Sequence, residues 1–241
     1  MHTLQSYSKR SSLKKKRRRL VVVLLAIILM ILLIGKLTSA PEEEVVAKEN
    51  TIPSALLPEK ETRPAEEPTG KVVYLTFDDG PTTLTNQFLD VLEEQDIPAT
   101  FFMQGIHLQK INLQESVKRA TEEGHYVGAH SMTHSKEKIY DNGLFVSEME
   151  ETRSLIQAIT GTNPKLVRPP YGSVPGLKNQ HIRNQIAEAG IKIWDWTIDS
   201  NDWKFKDNPN QIVESIKSQT KRNTEVILLH ENEQTLQALP T

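Results

Sequence analysis

Val72-Val73-Tyr74-Leu75-Thr76-Phe77-Asp78-Asp79-Gly80 is an apolar, β-branched and aromatic run that ends abruptly in two carboxylates and a glycine. The first six residues have the composition of a strand, whereas Asp-Gly-Pro at residues 79–81 is turn chemistry. As a turn alone the ending would be unremarkable. Two adjacent carboxylates at the end of a buried strand, however, repel each other, and an Arg partner or a bound cation removes the conflict. The same event recurs four times further on. Apolar runs give way to His130-Ser131-Met132-Thr133-His134, Arg168-Pro169-Pro170-Tyr171-Gly172, Asp199-Ser200-Asn201-Asp202-Trp203 and Leu228-Leu229-His230. Parallel α/β barrels place their working residues at the carboxyl ends of their strands, and that architecture is the one expected here.

Between these endings the pattern alternates. Strands are predicted over Val72–Phe77, Ala99–Met103, Tyr126–Ala129, Lys165–Val167, Ile191–Ile198 and Glu225–Leu229. Helices are predicted over Leu84–Glu94, about Leu113–Glu123, Leu144–Thr160, Lys178–Ala189 and Asn210–Ser218. Strands interleaved with helices imply parallel βαβ units. In the predicted fifth strand, Trp194 and Trp196 alternate with Asp195 and so share a face.

The polar endings hold complementary chemistry. His130 and His134 are four residues apart, a spacing that on a helical turn points both imidazoles the same way. The pair alone is a weak indication. With Asp79 it supplies two nitrogens and one oxygen, a set that leaves coordination positions open, as catalytic rather than structural metal sites do. Arg168, at a strand end, would hold a neighbouring aspartate ionised and oriented. Asp202 against His230 would raise the imidazole pKa, which suits a general acid; the plainer alternative is a core histidine bonded to a backbone carbonyl. Trp203 follows Asp202 and offers an apolar face to a sugar ring. His2, His107, His125 and His181 have no comparable partners and receive no role.

The chain has 241 residues, a net charge of −2 and no cysteine, which excludes disulfides and thiolate ligands. Its charge is unevenly placed. Eight of the 29 Lys and Arg residues lie in residues 1–19, leaving 21 against 31 acidic residues in the remainder. The basic run abuts the uncharged stretch Leu20–Gly35, so membrane orientation explains it better than nucleic-acid binding, and no nucleic-acid partner is expected. Sixteen helical residues span about 24 Å, and Lys36 and Leu37 extend the segment to residues 20–37. A retained transmembrane anchor, with a basic cytoplasmic tail (1–19), is favoured over a cleaved signal peptide, because Thr38-Ser39-Ala40 followed by Pro41 is a poor cleavage site. Residues 38–70, rich in Pro and Glu, read as a disordered stalk. Residues 71–241 form the expected extracytoplasmic domain of a single-pass membrane protein.

From Lys71 to His230 the chain resembles the polysaccharide deacetylases, the NodB-like carbohydrate esterase family four, with all five motifs in order. The resemblance implies a distorted (β/α)7 barrel. It implies Asp78 as catalytic base, Asp79, His130 and His134 as ligands of one divalent metal, commonly zinc, and Arg168 as the residue that positions Asp78. It further implies an oxyanion donor in the Tyr171 N–H, Asp202 tuning the general acid His230, and Trp203 and Leu228 lining the acetyl and sugar pocket. The expected reaction is hydrolysis of the N-acetyl amide of a cell-wall amino sugar, foremost peptidoglycan N-acetylglucosamine. Another acetylated surface glycan, or an inactive anchored glycan-binding role, is the alternative; the oligomeric state is left open. Related domains usually continue through another helix and a closing strand. Gln234–Pro240 reads as the start of that helix, and a bare sheet edge is therefore expected beside the strand of His230.

Overall fold

The computed structural model describes residues 70–206 and 208–240. The predicted basic tail, anchor and nearly all of the stalk lie outside the described residues. No helix among the described residues is long and apolar enough to cross a membrane.

Strand β1 (Val72–Gly80) is exposed at Val73 and Tyr74, buried from Thr76 to Asp78 and half-buried at Asp79. Helix α1 (Thr85–Glu94) buries Thr85, Phe88, Leu89 and Leu92, one stripe at helical spacing. The fully buried β2 (Thr100–Met103) leads into a one-turn helix α2 (Gly105–Leu108) that the sequence pattern did not announce. A 3-10 turn and α3 (Gln114–Glu122) precede β3 (Tyr126–Ala129). After a π turn at Glu137–Asp141 comes α4 (Phe145–Thr160), closed by Gly161 at φ 75°, where a glycine meets the left-handed requirement of a helix end. Next are β4 (Leu166–Val167) and α5 (Gln180–Glu188), the latter capped by the Asn179 side chain, which accepts from the His181 N–H. Strands β5 (Lys192–Ile193) and β6 (Ile198–Asp199) follow. Then come α6 (Pro209–Gln219), β7 (Thr224–His230) and α7 (Glu233–Ala238).

The strands form one parallel, curled sheet in the order β5-β4-β3-β2-β1-β7-β6, an open half-barrel. Its outer face packs on the helices. Phe77 stacks on Phe101 at 5.2 Å between ring centroids and meets Phe88 of α1 at 5.1 Å, and all three are fully buried. Burial of each such ring contributes about 1.5–3 kcal/mol. The alternate residues Thr76, Asp78 and Phe102 point inward, with Asp78 in register with Phe102 on β2 and with His230 on β7.

Two expectations need correction. The segment Ile191–Ile198 is not one strand. Its first part, β5, pairs with β4, and its last part, β6, pairs with β7 on the opposite edge of the sheet. Between them the carbonyls of Trp194 and Asp195 accept from the Arg168 guanidinium, at 3.0 and 3.4 Å, instead of joining a ladder. Both tryptophans still reach the interior: Trp194 packs edge-on against Tyr74, and Trp196 lies 5.8 Å from the Arg168 guanidinium. The second correction follows from the first. The strand of His230 has no bare edge, because β6 occupies it, pairing Ile198 with Ile227 and Asp199 with Leu228.

Gly128 on β3 tests the packing of the interior. A Cβ there would lie 2.8 Å from the Leu166 carbonyl oxygen and 2.8 Å from the Phe102 ring. Gly128→Ala is expected to destabilise the domain by about 1–3 kcal/mol, read from urea unfolding.

Candidate metal centre and active site

In a regular strand Asp78 and Asp79 would point to opposite faces. They do not, because β1 breaks register with β2 between Asp78 and Gly80, and Asp79 takes the left-handed φ of 71°. Asp is among the few residue types that tolerate this region. The bulge turns both carboxylates toward the same imidazole: His130 Nε2 lies 3.6 Å from Asp78 Oδ2 and 3.6 Å from Asp79 Oδ1.

The two acids then diverge in their partners. Asp78 Oδ1 accepts from Arg168 Nη1 at 2.9 Å, and Thr76 Oγ1 takes a second bond from the same nitrogen at 2.6 Å. Arg168 is wholly buried, with its guanidinium 4.4 Å over the Phe102 ring. A cation so placed is tolerated because carboxylate, hydroxyl, two carbonyls and an aromatic face together replace water.

Asp79 instead faces His130 and His134, its Oδ1 lying 3.6 Å from each Nε2. Burial opposes its charge, but the imidazoles of His130 and His134 and the Gln104 amide hold the carboxyl below its usual range. The two histidines are not on a helical turn. They flank a loop in which Ser131 and His134 have φ of 64° and 54°, and the Ser131 hydroxyl accepts from the His134 N–H at 2.9 Å. The buried Glu148 of α4 secures this loop by accepting from the Thr133 N–H and hydroxyl. A loop thus does what the spacing suggested a helix would do.

The donor set suits a divalent cation. His130 Nδ1 donates to the Arg168 carbonyl at 2.8 Å, which turns Nε2 toward Asp79. Burial and the neighbouring His130 keep the His134 imidazole below its usual pKa, in the neutral form that ligation requires. The three candidate ligand atoms lie within 4.8 Å of one another. Two ligands of a tetrahedral zinc ion would be separated by roughly 3.3 Å, close to the 3.6 Å spacings here.

On the neighbouring strand, His230 Nδ1 pairs with Asp202 Oδ1 at 2.7 Å. Asp202 is fully buried and also accepts from the Trp203 N–H, the His230 N–H, Asn232 and Thr235, so its carboxyl stays low despite burial. Burial works against a charged His230, but Asp202, with smaller help from Asp78 and Asp79, pushes the imidazole up to about 9. Tyr171 stands opposite at φ 64°; its hydroxyl donates to the His134 carbonyl at 3.0 Å, and its N–H has no acceptor among the described residues. Leu228, two residues before His230, shares its inward face and is buried. Trp203 is 52 % exposed, and the Lys204 ammonium lies 4.5 Å over its ring.

Several contributors escaped the sequence reading. Thr76 was legible in principle as a hydroxyl two residues before Asp78, on the same face. Gln104, directly after β2, obeys the strand-end rule and donates to Asp79 Oδ1 at 2.7 Å. His107, given no role from sequence, bonds the Asp79 carbonyl through Nδ1 at 2.9 Å. Tyr140 donates to the Pro170 carbonyl at 2.6 Å and so steadies the loop of Tyr171. Glu231, buried beside His230, accepts from Thr82 and Thr85 and ties the turn after Gly80 to β7.

Fold and site together define a half-barrel with a three-residue set, Asp79, His130 and His134, that could hold a metal ion. The family model described as polysaccharide deacetylase matches residues 65–194, more than half of the chain. The chain belongs to the polysaccharide deacetylase family. It is 47 % identical over 176 residues to a peptidoglycan-N-acetylglucosamine deacetylase of Bacillus cereus, covering 70 % of this chain and 63 % of that relative. It is 39 % identical over 205 residues to YheN of Bacillus subtilis, covering 83 % and 71 %. Among solved structures, it resembles a polysaccharide deacetylase from Bacillus cereus with a TM-score of 0.68 and 46 % identity, over 70 % of this chain and 84 % of that one. The peptidoglycan deacetylase PdaC from Bacillus subtilis matches with a TM-score of 0.63 and 34 % identity, over 72 % and 82 %.

The buried ion pair can be tested by removing its cation. Arg168→Met would leave Asp78 buried alone, an uncompensated charge that costs about 3–5 kcal/mol. The loss is expected in urea unfolding at neutral pH.

Proposed function

We propose that this chain hydrolyses the N-acetyl amide of peptidoglycan N-acetylglucosamine, releasing acetate and leaving a free amine on the sugar. The observation that carries the reading is the split of two adjacent aspartates, Asp79 toward two imidazoles and Asp78 toward a buried arginine. The sugar is suggested by the relatives, several of which are named for that substrate. Zinc is the proposed ion, since two imidazoles and a carboxylate with open positions suit it. Residues 20–37, apolar but for Lys36 near the end, are proposed to anchor the protein in the cell membrane with residues 71–241 outside, within reach of the wall.

A divalent ion held by Asp79, His130 and His134 would polarise the acetyl carbonyl and acidify water. Asp78, fixed by Arg168 and set beside that centre, takes the proton of the attacking water. Oxyanion charge developing on the acetyl group is met by the Tyr171 N–H. His230, held charged by Asp202, presents the opposite ring nitrogen as an acid and protonates the departing amine. Each cleavage turns a neutral amide into an ammonium group, so the wall gains positive charge.

Asp78→Asn is expected to abolish turnover while the protein still binds one zinc per chain. His134→Ala is expected to lose the ion as well, measured by metal analysis after dialysis. Equal metal loss in both variants would show that the two aspartates do not divide the work. Mass spectrometry of wall fragments incubated with the full-length protein in detergent and zinc reports the sugar that loses its acetyl group.

The raised His230 pKa fixes a second expectation. Because the acid form is the working one, amide turnover should fall as pH rises toward and past about 9, and a bound cation moves the fall to lower pH. That limb should be absent from His230→Ala. This variant should also lose far more activity on the amide than on an activated ester, whose leaving group needs no proton. Equal losses on both substrates would remove the general-acid role.

A further inference from the structure

Asp79 is a strained residue, and its left-handed backbone persists only where surrounding contacts over-determine it. Those contacts come from one short element. The Gln104 N–H donates to the Gly80 carbonyl at 2.7 Å, and His107 Nδ1 donates to the Asp79 carbonyl at 2.9 Å. The Gln104 side-chain amide donates to Asp79 Oδ1 at 2.7 Å. This last oxygen is the one that lies 3.6 Å from both histidine nitrogens. Gln104 and His107 sit one turn apart at the junction of β2 and α2, so the peptide and the carboxylate of Asp79 are held from the same side.

A carboxylate oxygen has two lone-pair directions. With one engaged by Gln104, the other is the one presented to the imidazole pair. We propose that Gln104 is a positioning residue for the metal centre, whose amide makes Asp79 a single-oxygen ligand through Oδ1 and so preserves open coordination positions. The inference rests on the metal reading above and goes beyond it, because it assigns the orientation of the ligand to a residue outside the ligand set. An amide suits the role because it donates without charge and leaves the net charge of the site untouched. A lysine in its place would compete with the cation, and a carboxylate would repel Asp79.

Two substitutions of nearly equal length separate this role from packing. Gln104→Met keeps the volume and removes the donor; Gln104→Glu keeps the shape and replaces the donor with a charged acceptor. Zinc affinity of the full-length protein in detergent would be measured by competition with a chelator, alongside thermal unfolding of the metal-free protein and kcat and KM on N-acetylglucosamine oligomers. Zinc binding is expected to weaken about 10-fold in Gln104→Met and about 100-fold in Gln104→Glu, as supporting residues of metal ligands do. The holds on the Asp79 backbone, through the Gln104 N–H and His107, survive both substitutions, so the metal-free unfolding midpoint should stay near the wild-type value, and kcat should fall more than KM rises. Wild-type zinc affinity in both variants would overturn the proposal. A lowered metal-free midpoint in Gln104→Met would also overturn it, by making Gln104 a residue of the fold. Absence of zinc binding by the wild-type protein would instead sink the metal reading itself.

Discussion

Two negative charges at the end of one buried strand are the constraint around which this domain is built. A regular β1 would send Asp78 into the barrel and Asp79 out to the helices, where its carboxylate would meet only apolar side chains. The register break at Asp79 removes that outcome by rotating the second carboxylate to the sheet's carboxyl edge. Both acids then sit at one mouth, and each needs a different positive partner. Asp78 receives a permanent one in Arg168, buried with it. Asp79 receives the two imidazoles of His130 and His134, each 3.6 Å from its Oδ1, an arrangement that leaves room for a cation. The division of roles proposed for the two aspartates therefore follows from one backbone angle.

That angle is not isolated. Asp79, Ser131, His134, Tyr171 and Asn201 all have positive φ; Asp79 is the next-to-last residue of β1, and the others follow the carboxyl ends of β3, β4 and β6. Each such residue costs on the order of 1–3 kcal/mol, so each must be held. His107 holds Asp79, the Ser131 hydroxyl holds His134, and Asp199 Oδ1 holds the Asn201 N–H. Strain gathered at a sheet edge, and there secured by hydrogen bonds, is the pattern expected where side chains must be aimed rather than merely packed. Asp96 is the exception; it ends a helix far from the mouth in sequence, and its turn serves the chain reversal before β2.

The sequence disclosed the elements that repeat and the residues that end them. Apolar runs and their polar terminations located β1, β2, β3, β4 and β7 and placed Asp78, His130, Arg168 and His230 at one edge. What it could not disclose was partnership. Alternation from Ile191 to Ile198 reads as one strand because periodicity reports which side chains are buried, not which neighbour receives the backbone bonds. Arg168 takes two of those carbonyls, and the run divides into two strands on opposite edges. Likewise His107 looked solitary because its partner is a main-chain carbonyl, which has no signature in sequence. The His130–His134 spacing pointed to the right convergence for the wrong reason, since the loop that produces it is shaped by Ser131 and Glu148.

Arg168 shows why fold and site cannot be separated here. It reaches the Thr76 hydroxyl, the Asp78 carboxylate, two carbonyls of the segment between β5 and β6, and the face of Phe102. Four hydrogen bonds from one rigid plane serve these acceptors at once, and a lysine ammonium, a point charge on a flexible stem, lacks that shape. The same guanidinium that binds Asp78 also turns the chain from one sheet edge toward the other, and the Arg168 carbonyl orients the His130 ring. Loss of the arginine would thus act on the base, on a candidate metal ligand and on the sheet together, so chemistry and architecture here share one buried cation.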